Sequence, residues 1–387
     1  MFGKKKTDAN YISARESRKI SKANQKITKK LDKRLSRKNV PESEYLTTMK
    51  DPGNVVEFDD LHTHFFTDVG TVHAVDGVSF NVPIGKTVGI VGESGCGKSV
   101  TSLSLMQLVQ RPTGQIVSGS IRLNLGDKAY DVAKMPIQAM QKVRGNVVSM
   151  IFQEPMTSLN PVFRIGYQID EVISLHNPSM SEQEVKKRSI DSLKMVGIPD
   201  AERVYSRYPH ELSGGMRQRV VIAMALVCNP RLIVADEPTT ALDVTIQAQI
   251  LELLRNLKNE INASIMLITH DLGVIAEMAD YVVVMYAGRV VEKGLASEVF
   301  LDPRHPYTIG LMESKPVINK MVDRLYSIPG SVPNPVNMPD YCYFRDRCEK
   351  CVGRCSGSYP PEIHVTDTHI VSCWRYFDDV KRGGKDE

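Results

Sequence analysis

Three observations predict an α/β fold built on a mostly parallel sheet covered on both faces. Short apolar strands alternate with amphipathic helices from about residue 55 onward. One strand, TVGIVG at 87–92, runs straight into a glycine-rich turn and then into SVTSLSLMQLV, a helix-forming run. Another, LIVAD at 232–236, ends on a pair of acids. Alternation of this kind buries strands between two layers of helices.

The chain has 387 residues, 42% hydrophobic and 24% charged, an ordinary globular composition with room for two or three domains. Its longest apolar run, VVIAMALVC at 220–228, is about half of what spans a bilayer. The N-terminal lysines precede no apolar core, so no secretory signal is read there. The expectation is a cytoplasmic protein that reaches a membrane only through partners. The net charge of +4 hides an asymmetry: residues 1–40 carry 14 Lys+Arg against Asp8, Glu16 and Asp32. Ile20, Ile27, Leu31 and Leu35 in this stretch fall on one side of a helix. Such a tail fits a solvated arm or a basic helix on anionic lipid. Nucleic-acid binding is disfavoured, because no aromatic residue beyond Tyr11 is interleaved with the charges. Residues 39–54 read as a linker.

Strands VVEF, HAVDGVSF and TVGIVG follow. The turn GESGCGKS at 92–99 fits a phosphate loop, G-x-x-x-x-G-K-[ST], in the strand–turn–helix context that such a loop requires. Gly92, Gly95 and Gly97 let backbone N–H groups point inward, and the helix beginning near Lys98 adds its positive end. Gly92, Glu93, Ser94, Gly95, Cys96, Gly97, Lys98, Ser99 and Val100 are therefore expected around the phosphates of ATP. Lys98 supplies a point charge and Ser99 a hydroxyl for Mg2+; the Cys96 thiol is incidental.

Residues of about 155–211 break the rhythm with helix formers and charge, as a helical insertion does. LSGGMRQR at 212–219 then precedes the apolar helix VVIAMALVC. Ser213, Gly214 and Gly215 form a second anion-binding helix entry, with Gln218 one turn on. Both anion sites suit an ATP triphosphate, and one chain cannot easily offer both to the same nucleotide. A head-to-tail pair of chains follows, with ATP between Lys98 of one and the Ser-Gly-Gly turn of the other. LIVADEP places Asp236 at a strand end, suited to hold Mg2+, and Glu237 next to it, suited to polarise the attacking water. Gln153 and His270 end two further strands and emerge at the same edge as Asp236, suited to sense the γ-phosphate. Asp243 sits at the seam between chains.

After residue 303 come PRHPYTIGLMES, a predicted helix, a proline-rich stretch, and five of the seven cysteines within 32 residues. In a reducing compartment this favours metal over disulfides. Cys348, Cys351 and Cys355 are close enough in sequence for zinc, with Cys342 or His364 completing the set; free thiols remain open.

Taken together, these strings resemble the ATPase subunit of an ATP-binding-cassette transporter. FQEPMTSLNP at 152–161, HPYT, IPGSVP and the terminal cysteines are similar to those of the oligopeptide and dipeptide permease ATPases. The resemblance implies a RecA-like core with an antiparallel β subdomain, a helical subdomain at about 155–225 and a small Cys-rich C-terminal domain. Its boundaries are 1–54, 55–303 and 304–387. It implies a second homologous ATPase subunit, two transmembrane permease subunits and, indirectly, an extracellular peptide-binding protein, with the chain on the cytoplasmic face of the membrane. Peptide import is the implied function; import of nickel or another small solute, or a soluble ATPase acting on nucleic acid, are the alternatives. Members of the family can carry a 4Fe–4S cluster, here on Cys342, Cys348, Cys355 and Cys373. An adenine-stacking residue is not assigned; Phe65, Phe66 and His73 all fit the spacing poorly.

Overall fold

The computed structural model describes residues 12–153, 158–240, 243–314 and 326–377. Part of the FQEPMTSLNP string and Ala241–Leu242 therefore lie outside the described residues.

Two sheets organise the molecule. The first is antiparallel, in the order β1 (Leu46–Thr47), β6 (Ala129–Asp131), β5 (Gly114–Asn124), β2 (Asn54–Phe66), β3 (Thr71–Pro83). The second has eight strands, in the order β12 (Ile363–His364), β13 (Ile370–Val371), β11 (Arg289–Leu295), β10 (Tyr281–Tyr286), β4 (Thr87–Val91), β9 (Ser264–Ile268), β8 (Leu232–Asp236), β7 (Val148–Ile151). From β10 to β7 all neighbours are parallel. β4, β8 and β9 are buried along their whole length, as continuous apolar strands between two layers must be.

The helical insertion is present as Ile165–His176, Glu182–Met195 and Ala201–Tyr205, followed by Gly214–Leu226. Ser181 and Glu184 form a reciprocal capping box at the second of these, satisfying N–H groups the helix leaves free. Ile165, Ile169, Ile173 and Leu193 pack into one core with Ile151, Ile233 and Ile265 of the main sheet. Full burial stabilises by about 1.5–3 kcal/mol for each such side chain.

The described parts of both terminal segments pack against the sheets. The basic segment forms a helix, Ala14–Leu35, that docks by Asn24, Thr28 and Leu35; Ile27 is 43% exposed. Of the expected apolar stripe, Leu35 is buried and Ile20 and Leu31 half-buried, so Ile27 alone turns away from the docked face. Asn24 donates to the Thr67 carbonyl at 2.7 Å and Arg111 pairs with Asp32 at 3.4 Å, so polar contacts set the helix's rotation. The expected linker contributes β1 to the antiparallel sheet. The C-terminal residues join the main sheet: β13 pairs antiparallel with β11, Glu292 opposite Val371 and Lys293 opposite Ile370. Among the described residues no helix is long and apolar enough to cross a membrane.

Candidate functional site

Four adjacent parallel strands, β4, β9, β8 and β7, deliver the site residues to one edge of the sheet. β4 leads into the phosphate loop. A Cβ on Gly92 would meet the Met285 carbonyl oxygen at 2.2 Å, and one on Gly97 (φ +100°) the Ala74 carbonyl oxygen at 2.3 Å, so only glycine fits either place. Lys98, 7% exposed, opens the helix Lys98–Leu105. Its Nζ donates to the Gly92 carbonyl at 2.8 Å and the Glu93 carbonyl at 3.1 Å. The ammonium is held inside the curl of the loop.

β8 carries Asp236 and Glu237. Ser99 Oγ donates to Asp236 Oδ1 at 3.2 Å, and burial pushes the Asp236 carboxyl up. A buried carboxylate facing a hydroxyl is an all-oxygen donor set, the chemistry magnesium takes. Glu237 is held at φ +46°, a costly conformation for a residue with a side chain. Its N–H donates to the Ile268 carbonyl at 2.8 Å. Its carboxylate accepts from Gln153 Nε2 at 2.8 Å and Thr240 Oγ1 at 2.9 Å, and His270 Nδ1 lies 3.2 Å away. Burial raises this carboxyl, but the contacts from Thr240 and His270 outweigh it, and Glu237 lies below the ordinary carboxylate value. It is therefore an ionised group fixed in direction by three neighbours.

Ser213 caps Gly214–Leu226, accepting from the Met216 N–H at 3.3 Å. Ser213 and Gly214 are exposed, and a Cβ at Gly214 would meet nothing within 4 Å. Gly215 abuts Ile246, and Asp243 caps Val244–Glu260 through the Ile246 N–H at 2.9 Å. The signature turn and Asp243 thus form a second patch, open to the outside. Gln218 departs from expectation. It is 1% exposed and donates to the Pro238 carbonyl at 2.6 Å, bracing the turn against the loop after Glu237 rather than facing a nucleotide. Helix periodicity placed it one turn inside the entry, and the turn inside is the packed one.

Glu93 carries a carboxylate that would repel phosphates if it faced them. It is drawn off by Arg347, whose guanidinium grips it at 2.7 and 3.0 Å. The Glu93 N–H donates to the fully buried Tyr307 hydroxyl at 2.8 Å. Cys96 is 1% exposed, its thiol pushed up by burial. Ser94 stays exposed, and Val100 packs against the apolar layer under the antiparallel sheet. Arg347, Tyr307 and Thr240 were not singled out from sequence; Tyr307 alone had a signal, the HPYT string. Of the adenine candidates, Phe66 is buried and His73 is stacked on His64 with ring centroids 4.2 Å apart.

Cys342, Cys355 and Cys373 are buried, Cys348 half-buried and Cys351 exposed. Burial first, and then mutual proximity of the thiols, pushes Cys342 up to about 12 and Cys373 to about 11. Among the described residues, no three of these sulfurs lie within 4.8 Å of one another. Zn–S bonds of about 2.3 Å bring thiolates to roughly 3.8 Å, so a zinc ion would need these thiols drawn closer together. Four thiolates are the usual complement of an iron–sulfur cluster, and Cys342, Cys348, Cys355 and Cys373 offer that number.

Residues 75–240 match the family described as ABC transporter, and residues 291–355 that described as oligopeptide/dipeptide transporter, C-terminal region. The chain is 52% identical over 325 residues to the oligopeptide transport ATP-binding protein AppD of Bacillus subtilis, covering 84% of this chain and 98% of that relative. It is 47% identical over 320 residues to the dipeptide transport ATP-binding protein DppD of Lactococcus lactis, covering 83% and 90%. Among solved structures it resembles the dimeric ATP-binding cassette MJ0796 in a post-hydrolysis state bound to ADP and Pi. The TM-score is 0.55 at 26% identity, over 62% of this chain and 98% of the other.

Proposed function

Because the chain belongs to the ATP-binding subunits of oligopeptide and dipeptide ABC transporters, we propose that it hydrolyses ATP to power peptide import across the cytoplasmic membrane. The observation that carries this reading is the Glu237 carboxylate, held by Gln153, Thr240 and His270 at the edge that also bears Lys98 and Asp236.

In this reading the phosphate loop receives the triphosphate on its N–H groups, and Lys98 turns its ammonium from the loop carbonyls to the β- and γ-phosphates. Ser99 and Asp236, with Gln153 near, would hold Mg2+, which would neutralise charge developing on the phosphates. Glu237 accepts a proton from the attacking water, its lowered pKa keeping it ionised. His270 carries a donor to the γ-phosphate. The open patch of Ser213, Gly214 and Gly215, with Asp243, meets the nucleotide of a second, homologous ATPase subunit. The assembly rests on two membrane-spanning permeases, and the chain works at the cytoplasmic face, with peptide delivered from outside by a binding protein. The working division of the chain is 1–54, 55–303 and 304–387, the last holding a 4Fe–4S cluster on Cys342, Cys348, Cys355 and Cys373. Cys351, exposed, is spare.

Glu237→Gln tests this. ATP binding is expected to persist while turnover falls about 10²–10⁴-fold in the reconstituted transporter. Turnover near that of the wild type would remove Glu237 from its role. Iron and acid-labile sulfide assays on anaerobically purified protein test the cluster; zinc without sulfide would reject it.

A further inference from the structure

β2 and β3 bring together a second set of polar side chains that ATP hydrolysis does not use. His62 is paired with Asp76 across the ladder and His64 with His73, and the register shifts between them. Three imidazole nitrogens converge on one oxygen. His62 Nδ1, His73 Nδ1 and His64 Nε2 lie 3.0, 3.6 and 3.8 Å from Asp76 Oδ1. We propose that His62, His64 and Asp76 form a binding site for a divalent transition-metal ion of the zinc type, with His73 beside the fourth position.

Three features support it. First, the donor atoms of His62, His64 and Asp76 all lie within 4.8 Å of one another. Bonds of about 2.0–2.2 Å in a tetrahedral site place donors roughly 3.3–3.5 Å apart, so small side-chain adjustments close the shell. Second, the outer groups that orient metal ligands are in place. His62 Nε2 meets Asp60 Oδ1 at 3.2 Å, the carboxylate–histidine arrangement that fixes which ring nitrogen faces the ion. Asp76 Oδ2 accepts from Arg289 at 2.8 and 3.1 Å and from the Tyr343 hydroxyl at 2.7 Å, leaving Oδ1 as the inward-facing atom. Third, His64 Nε2 is buried and has no hydrogen-bond partner. One carboxylate oxygen, whose sister already takes Arg289, cannot satisfy three imidazolium donors. Neutral rings with lone pairs turned inward around a cation resolve that conflict. Imidazole with a single carboxylate selects zinc, cobalt or nickel over magnesium. The Ala74 carbonyl, one residue after His73, occupies the space a Cβ on Gly97 would need. Metal at this place would therefore stiffen the strand that backs the phosphate loop.

Cobalt(II) titration of the chelator-stripped full chain, without nucleotide, tests the site by visible absorption. The wild type should bind one cobalt with d–d bands free of sulfur-to-cobalt charge transfer, apart from any thiolate signal of the C-terminal cysteines. His62→Asn and His64→Gln should weaken that band about 10-fold or more and leave the thiolate signal unchanged. Asp60→Asn guards against misfolding. Asp60 is exposed and has φ +49°, which asparagine tolerates well, and losing this outer carboxylate should weaken cobalt about 10–100-fold. Charge-transfer bands alone in the wild type, or wild-type cobalt affinity in His64→Gln and Asp60→Asn, would overturn the proposal.

Discussion

At the scale of single residues, His305 shows how burial sets a titration. It is 2% exposed and caps the helix Pro306–Glu313, its Nδ1 accepting the Tyr307 N–H at 3.1 Å. Burial lowers it to about 4, with Glu292 pulling weakly the other way. The unfolded chain, at about 6.5, therefore takes up the proton first as pH falls. Stability should be full above about pH 6.5 and decline toward pH 4, by up to roughly 3 kcal/mol. His305→Asn keeps a capping acceptor and removes the titration. Melting temperatures across this window should flatten in that variant; an unchanged slope would place the effect elsewhere. Glu292, held below its ordinary value, loses its contribution only at lower pH, as acid protonates it. Legibility at this scale was uneven. Lys98, Asp236, Glu237, Gln153 and His270 could be placed because strand ends define an edge. The roles of Gln218 and Glu93 could not, because a spacing says which turn a side chain occupies but not whether a distant segment claims it.

Among the elements, the parallel strands and the insertion helices were readable because their apolar periods are strong. The terminal segments were not. Two-residue strands such as β1 and β13 carry no period, and the Ala14–Leu35 helix docks through Asn24 and Thr28, whose polarity masks burial. The C-terminal segment bears directly on the ATP edge: Arg347 adjoins Cys348 in sequence and grips Glu93 in the phosphate loop. Arg347→Ala should leave the Glu93 carboxylate free beside the phosphates. ATP binding is expected to weaken about 10-fold, with a stability loss of about 1–3 kcal/mol. Arg347→Lys, which keeps charge but loses the paired grip, should recover part of the binding. Equal ATP affinity in all three proteins, measured by equilibrium titration, would show that the brace does not reach the nucleotide.

For the whole molecule, the proposed grip of two turns on one ATP sets a geometric requirement. The Lys98 loop belongs to an edge that also bears Asp236 and Glu237, while the Ser213 turn stands open beside Asp243. Cysteines placed at Ser94 and at the signature turn of the companion subunit should crosslink between subunits when ATP saturates a Glu237→Gln assembly. Crosslinking should fall sharply without nucleotide. Efficient crosslinking that ignores ATP would argue against a nucleotide-closed pair.

The pairing of β13 with β11 also has a consequence during synthesis. Leu295 closes β11, and Ile370 begins β13 75 residues later. A ribosome takes roughly 4–15 seconds to cover that distance. Through that interval the nascent cassette shows a bare strand margin, with Glu292 waiting for His369 to arrive. Premature termination anywhere in that stretch would leave the margin sticky, so fragments lacking the last strand should aggregate even though every nucleotide motif has already been translated.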